Sequence, residues 1–100
     1  MNIELTLIGK PGCHLCDDAR EVVDSVVKDF SAALPGAKLQ LVEKNILDDA
    51  ALAERYREEI PVLLINGKVH NYWRIDPIRF RAALDAFVSK PGYLKNERCV

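Results

Sequence analysis

Apolar residues alternate at the start of the chain. Ile3, Leu5 and Leu7 recur at every second position, the period of a half-buried strand, and Ile8 closes the run before Gly9-Lys10-Pro11-Gly12 breaks it. The spacing then changes to threes and fours through Leu15, Ala19, Val22, Val23, Val26, Val27 and Phe30. That stripe predicts an amphipathic helix from about Leu15 to about Phe30. Its valines lower intrinsic helix propensity, so tertiary packing must hold it. Leu34-Pro35-Gly36 reads as a turn, and residues 38–43 alternate through Leu39 and Leu41 as a second strand. Asp48 or Asp49 caps a second helix running to about Glu58. Ile60-Pro61 ends it, because the residue before proline avoids the helical region.

Val62-Leu63-Leu64-Ile65 is continuously apolar, as in a strand buried on both faces. Asn66-Gly67 signals a tight hairpin turn, and residues 68–73 return as a strand. Asp76-Pro77 starts a third helix, with aspartate as cap and proline at the first helical position. Ile78, Ala82, Leu84, Phe87 and Val88 give that helix its apolar face. The order βαβαββα implies an α/β fold: a parallel pair from the first βαβ unit and an antiparallel hairpin at the end. Together they make one four-stranded mixed sheet with helices on both faces. Residues 1–90 form the domain, and 91–100, polar and holding Pro91-Gly92, form a C-terminal tail.

Composition narrows the function classes. At 49% hydrophobic and 29% charged over 100 residues, the chain is globular rather than disordered. A net charge of -1 gives no reason to expect nucleic acid or an anionic membrane as partner. No apolar run approaches the ~20 residues of a membrane span, and Met1-Asn2-Ile3-Glu4 lacks a signal-peptide pattern. The expectation is a cytoplasmic monomer. Three cysteines, an odd number, argue against a structural disulfide framework in a reducing compartment.

Cys13 and Cys16 stand two residues apart where the first strand hands over to the first helix. Amides at a helix N-terminus point outward with partial positive charge and favour a thiolate, which is the nucleophilic form. Cys13, at the helix end, is expected to be exposed and to attack; Cys16, one turn inside, is expected to be more buried and to resolve the mixed disulfide. The other readings of the pair are two structural thiols or half of a zinc site. Zinc usually takes four ligands from two paired clusters, and His14, His70 and Cys99 form no second pair.

The stretch Thr6–Cys16 resembles the active-site segment of glutaredoxins. Ile60-Pro61-Val62-Leu63 resembles the proline loop of the thioredoxin superfamily, and Asn66-Gly67-Lys68 follows it as the hairpin turn does in that fold. The Cys-X-Leu-Cys pair, this loop and the closing Asp-Pro helix together resemble a bacterial glutaredoxin-like family over residues 3–88. The resemblance implies a thioredoxin-like fold and thiol–disulfide exchange with a disulfide-containing protein or a low-molecular-weight thiol. It implies that Pro61 is a cis-proline facing the cysteines and that the Ile60 backbone pairs with substrate. Lys10 stands where many glutaredoxins have a lysine, to favour the thiolate and meet a carboxylate of glutathione; the alternative is a solvated loop lysine. Glutaredoxins usually carry paired glycines after the hairpin. Here the segment is Tyr72-Trp73-Arg74-Ile75-Asp76-Pro77, which leaves glutathione open as a co-substrate. The chemistry itself requires no cofactor and no metal.

Two further residues modulate this site. His14, if protonated, stabilises the thiolate; otherwise it is an exposed imidazole. Asp17, with Asp18, suits the helix dipole yet opposes a nearby thiolate and an anionic substrate. His70 is expected to face solvent; Tyr72 and Trp73 either border the active-site groove or serve packing, the commoner role of strand aromatics; Cys99 forms mixed disulfides or links two chains or, more simply, is an incidental tail thiol. Two other function classes compete with an oxidoreductase: a metal or iron–sulfur module, with two chains sharing Cys13, and a redox-responsive partner-binding domain.

Overall fold

The computed structural model describes residues 2–89; the expected tail and Cys99 lie outside them. Strand β1 (Asn2–Gly9) is followed by helix α1 (His14–Ala33), strand β2 (Lys38–Asn45), a single 3-10 turn (Ile46–Asp48), helix α2 (Ala50–Tyr56), strand β3 (Val62–Ile65), strand β4 (Lys68–Tyr72) and helix α3 (Pro77–Ser89). The sheet order is β2-β1-β3-β4. β1 runs parallel to β2 with Leu5 opposite Leu41, and antiparallel to β3 with Leu7 opposite Leu63. β3 and β4 form the hairpin expected from Asn66-Gly67, both of which take positive φ (51° and 85°).

The elements differ from the sequence pattern mainly at their ends. α1 begins a residue early because Cys13 acts as its cap, and it runs on to Ala33 before Leu34, whose amide bonds Phe30 O. α2 stops at Tyr56 rather than Glu58; a turn with Glu59 N–H donating to Tyr56 O (2.8 Å) carries the chain towards Ile60. Asp49 is its cap: its Oδ1 accepts from Ala51 N and Leu52 N, while its own N–H donates to Ile46 O (3.4 Å).

Strand alternation sends side chains to two faces, each with its own core. On one face Ile3, Leu5, Leu7, Leu63 and Ile65 pack with Val23 and Phe30 of α1 and Phe80 and Leu84 of α3. On the other, Ile8 and Val62 pack with Ile46, Tyr56 and Ile60, with Leu52 and Ala53 of α2 against them. Each fully buried side chain of this kind contributes about 1.5–3 kcal/mol by leaving water. Helices therefore cover both faces of one mixed sheet. Within α3 the inward face is Phe80 and Leu84, supported by Ala83, Phe87 and Val88, whereas Ile78 is 80% exposed. The expected face was thus misplaced at its first turn, with Ile78 standing for Phe80. Ala82 is likewise exposed.

Candidate active site

The end of β1 and the start of α1 hold the two thiols. Gly12 takes φ 76°, a conformation only glycine adopts freely, and turns the chain into the helix. Cys13 is extended (φ -103°, ψ 113°) and caps α1: its Sγ accepts from Cys16 N at 3.2 Å, and its carbonyl accepts from Asp17 N at 3.0 Å. A sulfur in this position receives an amide hydrogen bond at the positive end of the helix, which favours negative charge there.

The two thiols are free and unequally placed: Cys13 is half-buried and Cys16 is buried, 2% exposed. Cys13 is less open than expected because it packs against the cluster that holds Cys16, Ile8 and Ile60. Burial pushes the Cys16 thiol up to about 11; the hydrogen bond and charge of Cys13, and more weakly the charge of Asp17, add to the rise, while the Lys10 backbone opposes it. Cys16 is therefore a protonated thiol at neutral pH.

Gly9 makes that burial fit. A Cβ built there would stand 2.9 Å from Cys16 Sγ and 3.2 Å from Cys16 Cβ. In the sequence Gly9 reads only as the first residue of the break after β1, since a through-space approach leaves no local signal. Gly9→Ala is expected to destabilise the protein by about 1–3 kcal/mol through overpacking and to make Cys16 more reactive by displacing it. Thermal denaturation together with thiol labelling of the variant checks both effects.

The other expected site residues divide between two places. Lys10 and Asp17 are exposed and line a groove of about 330 Å³ with Cys16, Arg20 and Glu43. There Arg20 bridges Asp17 (3.1 Å) and Glu43 (2.8 Å), setting a positive charge beside both carboxylates. These pairs are exposed and contribute little to stability. Ile60 and Pro61 are buried, joined by a cis peptide bond, and Ile60 lies in the same cluster as Cys16. His14 is exposed on the first turn of α1. Among the described residues no group of three or more His, Cys, Asp or Glu side chains is placed to hold a metal ion.

His70, expected in solvent, is half-buried beside Phe80 (ring centroids 6.1 Å apart), and its Nε2 has no hydrogen-bond partner among the described residues. Burial, with Arg79 adding to it and Asp76 opposing, lowers its pKa from the usual range. Of the two readings for Tyr72 and Trp73, core packing does not hold: both are exposed, and Trp73 borders a groove. Trp73 takes φ 59°, a left-handed conformation that costs a bulky residue of order 1–3 kcal/mol and persists only where the surroundings impose it. Here they do: Trp73 N–H donates to Pro61 O (2.7 Å), and its Nε1–H donates to Glu58 O (3.1 Å). Trp73, Arg74 and Ile75 face α1 between Leu15 and Val22 across a second groove of about 260 Å³.

The family model described as Glutaredoxin-like domain (DUF836) matches residues 4–85. An X-ray structure of a structural-genomics target protein from X. campestris is 36% identical, covers 82% of this chain and 96% of its own, and superposes with a TM-score of 0.59. An uncharacterized protein from Mycobacterium tuberculosis is 23% identical over 90 residues, 88% of this chain and 91% of that protein. Chloroplastic thioredoxin z, at 9% identity, shares the fold with a TM-score of 0.68 over 89% of this chain and 80% of its own.

Proposed function

The chain belongs to the glutaredoxin-like domain family, and on that premise we propose that it is a thiol–disulfide oxidoreductase with Cys13 as nucleophile and Cys16 as resolving thiol. The carrying observation is the inequality of the two thiols: Cys13 at the helix cap receiving an amide hydrogen bond, Cys16 buried and protonated.

The reaction runs in two exchanges. The Cys13 thiolate attacks one sulfur of a substrate disulfide; that S–S bond breaks, the other half leaves as a thiolate and takes up a proton, and a mixed disulfide joins Cys13 to the substrate. Cys16 then loses its proton and attacks the Cys13 sulfur. The intramolecular disulfide forms and the second substrate thiol leaves. Two electrons pass from the cysteine pair to the substrate, and an external thiol must return them. No cofactor takes part. Glutathione is a candidate co-substrate, and the substrate is a disulfide-containing protein or a low-molecular-weight disulfide. Ile60 and Pro61 shape the substrate site beside the thiols, Lys10 attracts a carboxylate, and Asp17 and His14 adjust the local charge. The reading sets a single copy of the chain in the reducing cytoplasm.

The direct test is turnover of hydroxyethyl disulfide by the reduced protein with an external thiol: turnover supports the proposal, and none overturns it. The thiols can also be told apart by pH. With Cys16 near 11, only about one molecule in a thousand carries its thiolate at pH 8. Iodoacetamide at pH 8 is expected to label Cys13 and spare Cys16, with labelling of Cys16 rising as the pH approaches 11 or on unfolding in guanidinium. Equal labelling of both at pH 8, read by peptide mapping, would contradict the assignment.

A further inference from the structure

Two grooves flank the first turns of α1 and differ in chemistry: Cys16 lines one, and the other, under Trp73, is unused by the exchange steps above. Its α1 wall starts at Leu15, between the two cysteines, and continues through Ala19 to Val22; Trp73 and Ile75 close the other wall. The floor is apolar. The rim carries one charge of each sign, Asp18 and Arg74, so the groove sorts on apolar shape rather than net charge.

Trp73 is the residue that gives the groove its shape. It holds a left-handed backbone at φ 59°, fixed by hydrogen bonds to Pro61 O and Glu58 O, yet the residue is 54% exposed. An indole held this firmly and left this open is not there for core packing. It is tied to the carbonyl of Pro61, which adjoins the Ile60 cluster against which Cys13 packs.

We propose that Trp73 is a specificity-determining residue and that the substrate is an extended polypeptide bearing an apolar side chain near its disulfide-bonded cysteine. This rests on the thiol–disulfide reading. The occupant is fixed at one end, because its sulfur must reach Cys13, and the groove begins two residues along α1 from that point. From Leu15 to Val22 the helix rises roughly 10 Å. An extended peptide covers that length in about three residues. The groove thus reads side chains within about three positions of the substrate cysteine, which a small monothiol does not supply.

The test uses two ten-residue peptides, each with a central cysteine in mixed disulfide with 2-mercaptoethanol. One carries leucines at the three positions on either side, the other serines. Reduced protein is mixed with each in single turnover, so that protein dithiol and peptide disulfide give protein disulfide, peptide thiol and 2-mercaptoethanol. The leucine peptide is expected to react about tenfold faster, the scale on which an apolar pocket discriminates. Trp73→Gly removes the indole while suiting the left-handed backbone, and it is expected to bring the ratio of the two rates to about one. A second readout uses the single tryptophan of the chain. With each peptide trapped on Cys13 in a Cys16→Ser background, emission shifts to the blue for the leucine peptide and stays in place for the serine peptide. Equal rates in the parent protein, a preference that survives Trp73→Gly, or an unchanged emission overturns the inference. Turnover of hydroxyethyl disulfide without any peptide preference overturns it alone, whereas no reduction of any disulfide removes the thiol–disulfide reading and this inference with it.

Discussion

Cys13→Ser is expected to lower disulfide reduction by about a thousandfold or more while leaving the fold intact. The nucleophile in thiol–disulfide exchange is a thiolate, and a serine hydroxyl at neutral pH neither ionises nor exchanges with sulfur. Cys16 cannot take over: it is buried, it titrates near 11, and Cys13 stands between it and the substrate in the exchange sequence. Folding is spared because position 13 is the cap of α1, where the sulfur accepts from Cys16 N, and serine is among the preferred cap residues. The variant should therefore unfold at nearly the parent temperature. A loss of activity with an unchanged melting curve separates chemistry from stability; retained activity would remove Cys13 from its assigned role.

The largest stability effect is expected at Phe80. Its ring is fully buried in the core formed by α1, α3 and one face of the sheet, and it also packs on His70. Phe80→Ala removes that contact area and leaves a cavity, at a cost of about 3–5 kcal/mol. In a domain of this size that lowers Tm by about 12 °C or more. Ile78→Ala, two residues earlier in the same helix, is expected to change stability by no more than about 0.5 kcal/mol, because Ile78 is 80% exposed. Calorimetry of the two variants side by side checks both magnitudes, and comparable losses would contradict the placement of α3.

That pair of residues marks where the expected and observed faces of α3 part. Asp76-Pro77 announces the helix start, and Asp76 Oδ1 does accept from Ile78 N (2.9 Å) and Arg79 N (3.3 Å). Phe80, Ala83, Leu84, Phe87 and Val88 follow the three-and-four spacing of one helix face, and Ile78 lies off that stripe, so the inward set was present in the pattern and the expected face was drawn from the wrong first residue. His70 falls where the β3–β4 pairing shifts register, between Asn71 opposite Leu63 and Val69 opposite Leu64, and such an irregularity re-aims a side chain without a local sequence signal.

The rest was legible for identifiable reasons. The parallel pair and the antiparallel hairpin follow from the βαβ unit and Asn66-Gly67; that β3 joins the sheet beside β1 rather than β2 comes from the structure alone. The cysteine pair stands out in the sequence by its position at a strand-to-helix junction more than by its spacing, and the structure puts Cys13 at the cap of α1 with Cys16 one turn inside. What sequence could not provide was the close contact that keeps Cys16 buried. That depends on Gly9 having no side chain, and nothing local distinguishes such a glycine from one that merely ends a strand.

The central claim is that Cys13 attacks and Cys16 resolves. Trapping tests it most directly. Cys16→Ser protein, incubated with a peptide mixed disulfide and quenched in acid, is digested and read by mass spectrometry. The claim predicts a stable adduct on Cys13 in the Cys16→Ser protein, and in the parent protein an intramolecular Cys13–Cys16 disulfide with no lasting adduct. Absence of any Cys13 adduct, or an adduct carried instead by Cys99, would contradict it.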